Sequence, residues 1–464
     1  MLIVLLLVVF VSTVESAERP NIVIMLADDQ TWSDSGAYGN DVVKTPNIDR
    51  LAAEGLRFTH CFTATAMCAP TRQQLYTGLF PIRNGAFPNH SQVKPGTRSM
   101  VHHFSVLGYR VGLSGKKHFG PERSFPFENL TTRGDLSIPK IRRFVARDKS
   151  QPFALVVTSH SPHLPWKEGD PSQYDPATVK VPPYLVDSPK TREALTKYYA
   201  EITDFDREVG EVLSALDETE QAGNTIFIYT SEQGAQFPHG KWTCYDTGLR
   251  TALIVRWPDR VKAGSMSEAL VQYVDILPTL LEAAGVDPTT IDTGRPGAPD
   301  GGTGFDGRSF LPVLLGKKDQ HNDLVYGVHT TRGIINGSWS YPIRSVRTRR
   351  YKLIWNLNHE SPFENVLVGG RDNGGYWQEW LELAKTDPHA KEMVDRYQHR
   401  PEFELYDLAN DPHELDNLAE SPEQSDRIKE LKSHLDAWMK QQGDCGNETE
   451  LTAKPHPTQT KPEK

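Results

Sequence analysis

The stretch Met67-Cys68-Ala69-Pro70-Thr71-Arg72-Gln73-Gln74-Leu75-Tyr76-Thr77-Gly78 puts a thiol at the entrance to a short helix. Pro70 suits the first turn, where its missing N–H costs nothing, and Gly78 suits the C-cap. Cys68 is therefore expected just outside a helix N-terminus, among unpaired N–H groups, a place that suits an anion. A lone cysteine is usually a small buried apolar residue, but a thiol in that position is activated rather than inert. Carboxylates form a second set. Asp28-Asp29-Gln30 directly follows the apolar run Asn21–Ala27. Isolated Asp pairs are mostly solvated turns, but at the end of a buried strand two adjacent carboxylates repel unless a cation lies between them. Ser231-Glu232-Gln233-Gly234 repeats the arrangement after the apolar run 224–230. Basic groups form the third set: Gly115-Lys116-Lys117-His118-Phe119-Gly120, His163 between Pro162 and Pro165, and Lys241. The prolines fix the backbone around His163, and His160 competes with it for the role of a positioned imidazole. The chemistry on offer is oxygen ligands for a metal and basic groups for an anion, with a reactive side chain between them.

These groups need strands that end together. Residues 21–27, 109–114, 153–158, 224–230 and 253–257 read as strands, several of them continuous apolar runs suited to burial on both faces. Helical patterns fall at 101–107, at 274–284 and, over the greatest length, at 190–216, while residues 80–97 and 296–307 read as irregular loops. Alternating strands and helices indicate an α/β fold with a large, mostly parallel central sheet flanked by helices. α/β sheets bind ligands beyond the carboxyl ends of their strands, where Asp28-Asp29, Lys116 to His118, His163 and Glu232-Gln233 fall. Beyond residue 336 the character changes. Residues 344–348, 351–356 and 403–406 read as short strands without crossover helices, and 421–440 as a charged amphipathic helix. This predicts a smaller C-terminal α+β subdomain with an antiparallel sheet. The expected organisation is a signal peptide at 1–16, a catalytic domain at 17–335, the subdomain at 336–446 and a disordered tail at 447–464.

Composition sets the outer bounds. The 464 residues are 38% hydrophobic and 24% charged, which suits a globular chain with a large core. A net charge of −9 argues against nucleic acid as a partner, which calls for a basic face. The apolar run at 2–11 is too short to span a bilayer, so export after signal removal to a periplasmic, extracellular or lysosome-like compartment is expected, without a stable membrane span. Four cysteines are too few for a disulfide scaffold.

Taken together, Ala27-Asp28-Asp29, Cys68 to Arg72, Gly115-Lys116 with His118, Pro162-His163 and Ser231 to Gly234 resemble the sulfatase family across nearly the whole mature chain. Within it, Gly115-Lys116-Lys117-His118-Phe119-Gly120-Pro121-Glu122, Ser340-Tyr341-Pro342-Ile343-Arg344-Ser345-Val346 and Asp411-Pro412-His413-Glu414 are most similar to the heparan N-sulfatase (sulfamidase) branch. The resemblance implies that a formylglycine-generating enzyme oxidises Cys68 to formylglycine. Its hydrate attacks sulfur to give a covalent sulfated intermediate, then collapses to expel sulfate. One calcium ion would be held by Asp28, Asp29, Glu232, Gln233 and residue 68. Arg72 would hold the hydrate, and Lys116, His118, His163 and Lys241 would surround the sulfate, with His118 assisting collapse and His163 protonating the leaving group. The family usually has Asp-Asn where Glu232-Gln233 stand, each one methylene longer; calcium accepts that variable oxygen geometry. His90, Arg344 and Arg347 are candidate contacts to a sulfated glycan substrate, in this branch the N-sulfated glucosamine of heparan-type chains. The other readings are an O-sulfatase on another glycan, a phosphomonoester or phosphonate hydrolase, and a glycan-binding protein without turnover. A homodimer is compatible with the sequence.

Overall fold

Alternate residues of β1 (Asn21–Ala27) enter two different cores. Ile22, Ile24 and Leu26 pack into one, and Val23, Met25 and Ala27 into the other. A strand buried on both faces has no polar side, which is why its sequence is an unbroken apolar run. The computed structural model describes residues 19–132, 134–368 and 375–461, so the expected signal segment lies outside them. The strands that follow are β2 (Leu56–Phe62), β3 (Arg110–Gly115), β4 (Glu128–Asn129), β5 (Phe153–Thr158), β6 (Thr225–Ser231), β7 (Arg250–Arg256), β8 (Ser265–Ser267) and β9 (Val271–Gln272). They form one sheet in the order β4-β3-β5-β1-β6-β7-β2-β8, with β9 also on β2. β3, β5, β1 and β6 are mutually parallel, and only β7 runs against its neighbours β6 and β2. The expected mostly parallel central sheet is present. β2 carries mixed polar and apolar residues over a register shift, which explains why no strand is legible there from pattern alone.

The long helix is Pro189–Glu218, opened by Ser188, whose hydroxyl accepts from Thr191 N–H. β10 (Val325–His329), β11 (Ile343–Arg347), β12 (Tyr351–Asn356) and β13 (Phe403–Asp407) form a second, antiparallel sheet in that order. It begins at Val325, upstream of the boundary expected at residue 336, because β10 completes this sheet. Two helices, Tyr376–Leu383 and Pro388–Gln398, intervene between β12 and β13, and neither is anticipated above. The loop expected over 80–97 contains one helical turn, Pro81–Asn84. The tail is also corrected: residues 447–452 are helical, and Gln459 is buried with its amide donating to the carbonyls of Thr331, Gly337 and Ser338. Among the described residues no helix is long and apolar enough to cross a membrane, and the four cysteines are free.

Candidate active site

The tips of four parallel strands and the start of one helix meet. β1 delivers Asp28 and Asp29, β6 delivers Glu232 and Gln233, β3 delivers Lys116, and the loop after β5 delivers His163. The helix Cys68–Thr77 begins with Cys68 itself, after Met67 as N-cap, so the cysteine occupies the first helical position rather than the one before it. Gly78 closes that helix in the left-handed conformation, φ 65°, its N–H bonded to Gln74 C=O. One ligand atom from each of Asp28, Asp29, Cys68 and Glu232 lies within 4.8 Å of every other, and all four residues are buried.

Basic groups clasp this acidic centre. Lys116 Nζ bonds Asp28 Oδ2, and Lys241 Nζ lies 2.5 Å from Asp29 Oδ2. Arg72 Nε is 2.5 Å from Glu232 Oε2, and its Nη1 donates to Lys116 C=O at 3.1 Å. His163 Nε2 is 3.6 Å from Asp29 Oδ2. The Gln233 amide nitrogen points into the cluster, 2.5 Å from Asp29 Oδ1, 3.0 Å from Glu232 Oε1 and 3.4 Å from Cys68 Sγ. Its Oε1 is buried without a hydrogen-bond partner. Amide oxygen and nitrogen exchange by a half-turn. A cation at the centre would repel the N–H2 and turn that orphaned oxygen inward. The donor set is then hard oxygen atoms with one position for residue 68, which fits a divalent cation of the calcium type.

Charge crowding shows in the acids. Burial lifts the Asp29 carboxyl above its ordinary value against Lys241 and His163, and lifts Glu232 well above it against Arg72. Burial also works on Asp28, but Lys116, His163 and Arg72 outweigh it and hold that carboxyl well below the usual range. Three carboxylates this close cannot all ionise cheaply without added positive charge. Burial opposes the Cys68 thiolate too, yet Lys116 and Lys241 prevail and hold the thiol well below its ordinary value. The site therefore stabilises negative charge at residue 68.

The sequence-derived site residues Asp28, Asp29, Cys68, Arg72, Lys116, His163, Glu232, Gln233 and Lys241 converge here. His118 lies at the mouth, its Nε2 2.8 Å from Nδ1 of His90, which is exposed. Arg344 and Arg347 do not line the site. Arg344 is fully buried in β11 and paired with Asp444 at 2.5 Å, while Arg347 pairs with Asp246 at 3.0 Å over the Phe62 ring. Both are structural ion pairs, and the substrate contacts expected of them are corrected accordingly. His160 bonds the carbonyl of Gly134 and makes no bond to the cluster.

One supporting residue escapes the sequence reading. Glu201, on the inner face of the long helix, accepts from the backbone N–H groups of Lys167 at 2.6 Å and Glu168 at 3.0 Å, bracing the loop that carries His163. Its helical position makes it look like surface, and nothing local announces the loop that covers it. Burial, opposed by those two N–H bonds, raises its carboxyl from 4.5 to about 7. Because the folded value lies above the unfolded one, the folded state loses stability as pH rises from about 4.5 to about 7, by up to roughly 3 kcal/mol. Glu201→Gln keeps the acceptor oxygen and removes the titration. Its Tm is expected to exceed the wild-type value at pH 8 by several degrees and to lose that advantage at pH 5; an offset independent of pH contradicts this.

The family model for sulfatases matches residues 20–286, and one for the N-sulphoglucosamine sulphohydrolase C-terminal region matches residues 237–366. An ulvan-active sulfatase of Formosa agariphila is 36% identical over 444 residues, spanning 93% of this chain and 82% of that protein. Human N-sulphoglucosamine sulphohydrolase is 31% identical over 468 residues, spanning 91% of this chain and 90% of that one. Among solved structures, a protein in complex with its substrate D-glucosamine-2-N,6-O-disulfate shares the fold with a TM-score of 0.69 at 21% identity, covering 92% of this chain and 99% of that one. With strand tips, helix start and matched family model in agreement, the chain belongs to the sulfatase family.

Proposed function

We propose that this sulfatase hydrolyses the N-sulfate of glucosamine in heparan-type glycans, using a formylglycine at position 68 and one calcium ion. The observation that carries the sulfuryl-transfer chemistry is the four-residue cluster of Asp28, Asp29, Cys68 and Glu232 inside a shell of lysine, arginine and histidine. The N-sulfate assignment is supported by the match of the C-terminal region, which includes Lys241, and by the human relative. When present, the cation supplies charge that withdraws electrons from a sulfuryl oxygen, and residue 68, oxidised and hydrated, supplies the nucleophilic diol.

The chain's own groups do the rest. Lys116 and Lys241 neutralise Asp28 and Asp29; Asp28, Asp29, Glu232 and Gln233 would hold the cation, and its charge would leave the two ammonium groups free to face sulfate oxygens. Preorganised positive charge of this kind is often the largest single catalytic term. Arg72 stays anchored by Glu232 and the Lys116 carbonyl, so it can hold negative charge at residue 68 without moving. Burial and Lys241 work to lower the His163 imidazole, but Asp29 and Asp28 win and raise it; 3.6 Å from Asp29, this imidazole is the group we assign to protonate a leaving nitrogen or oxygen. His118, at the mouth, is placed to take a proton from the diol.

O-sulfate removal is the second reading, favoured by the ulvan-active relative. Release of sulfate from N-sulfoglucosamine, from 6-O-sulfated glucosamine and from ulvan fragments distinguishes the two. The N-sulfate should be released at least tenfold faster in kcat/KM, a difference of about 1.4 kcal/mol. Activity should disappear on chelation and return with calcium. Preference for either O-sulfate overturns the N-sulfate assignment, and full activity in chelator overturns the metal.

A further inference from the structure

The segment that follows Ala453 packs on the loop bordering Asn89 and His90. Ala453 C=O accepts from Arg332 Nε at 3.0 Å, and beyond it the segment 454–461 is strapped to the loop 330–338. Gln459 is the buckle. Its Nε2 donates to Thr331 C=O at 2.9 Å and Ser338 C=O at 2.8 Å, while its Oε1 accepts from Gly333 N–H at 3.2 Å and His456 N–H at 2.7 Å. Asn336 N–H donates to Thr458 Oγ1 at 2.8 Å. The same loop presses on the active-site rim. Gly333 has φ +79°, and a Cβ there would lie 2.8 Å from Asn89 C=O, so only glycine permits the approach. The next residue is His90, whose ring lies tilted against that of His118, the centroids 4.8 Å apart. Gln459 Oε1 thus joins Gly333, which touches residue 89, to His456.

We propose that His456, held by this strap on the loop that abuts Asn89, completes with His90 a second anion subsite at the active-site mouth. It would take a sulfate or carboxylate elsewhere on the glycan while the scissile sulfate occupies the central cluster. The inference rests on the sulfuryl-transfer reading of that cluster. Three observations support it. The imidazoles come from three distant stretches, and His90 is exposed while His456 is partly so, as a ligand-facing rim requires. The segment 454–461 carries Lys454, His456 and Lys461 and no acid, in a chain whose net charge is −9. Burial and then His118 hold the His90 imidazole below its ordinary value, and His456 pushes the same way, so the two lie within each other's field. Glycan substrates carry several anions, and a rim of imidazole donors offers directed N–H bonds to one of them.

The test uses the full chain and three substrates: N-sulfoglucosamine, its 6-O-sulfated form, and N-sulfoglucosamine linked to a hexuronate. His456→Ala is expected to lower kcat/KM on a doubly anionic substrate about tenfold more than on N-sulfoglucosamine, through KM rather than kcat, as loss of one charge-assisted hydrogen bond implies. His456→Lys should restore most of the difference. The affected arm, sulfate or carboxylate, identifies the second anion. A strap that is merely structural lowers all three substrates equally, and that result, like no change, overturns the subsite. If the wild type turns over none of the three, the N-sulfate assignment fails on its own. The subsite is then read by titrating Cys68→Ala protein with sulfated heparan and ulvan oligosaccharides: a Kd about tenfold weaker on adding His456→Ala supports it, and an unchanged Kd overturns it.

Discussion

Cys68→Ala is expected to abolish turnover, by about five to six orders of magnitude in kcat, while the fold remains. Loss of a nucleophile that acts as one unit with its partners has effects of this size. The stability cost should be small, about 1 kcal/mol, because alanine keeps the first position of the helix and removes only one buried atom. The charged shell does not depend on the sulfur: Lys116 stays on Asp28, Lys241 on Asp29 and Arg72 on Glu232. Assays with N-sulfoglucosamine, together with circular dichroism and a melting curve, check both halves. Wild-type turnover in the variant would remove position 68 from the chemistry, and global unfolding would make it a structural residue. Peptide mass spectrometry across residues 66–72 of the wild type from its own host adds an independent reading, since aldehyde in place of thiol is the modification on which the proposed nucleophile depends.

The second large effect concerns stability. Arg344→Met should destabilise the protein by about 3–5 kcal/mol, because it strands a buried carboxylate. Arg344 and Asp444 are both fully buried in their side chains, paired at 2.5 and 3.1 Å, and Arg344 also donates to His329 C=O at 3.1 Å. Replacing both partners, Arg344→Met with Asp444→Leu, should recover much of the loss, since a buried ion pair exchanged for apolar groups is often close to neutral. Urea unfolding of the two variants measures this. A substrate-gripping arginine would behave differently: stability would hold and KM would rise. That outcome would sink the structural assignment.

Residue types and spacing were enough to name candidates for the chemistry and the strand ends that carry most of them. An unbroken apolar run that stops abruptly at Asp28-Asp29, or at Glu232-Gln233, marks a strand buried on both faces whose end faces a site, because local burial and charge are written in adjacent residues. The helix of Cys68 was legible for the same reason, with Pro70 and Gly78 acting through short-range backbone preferences. Tertiary structure alone decided what depends on distant partners. Arg344 and Arg347 are basic residues on a strand in either reading, and only the packing of β11 against Asp444 and Asp246 turns them inward. The polar composition of the tail suggested disorder, yet the Gln459 amide donates to the carbonyls of Thr331 and Ser338, more than a hundred residues earlier. Likewise the strand order β3-β5-β1-β6, which brings four separate tips into one cluster, is a consequence of how the sheet is wound. Local sequence encodes where each tip stops; only the assembled sheet sets which tips become neighbours, because hydrogen-bond pairing between strands carries no signature in either strand alone.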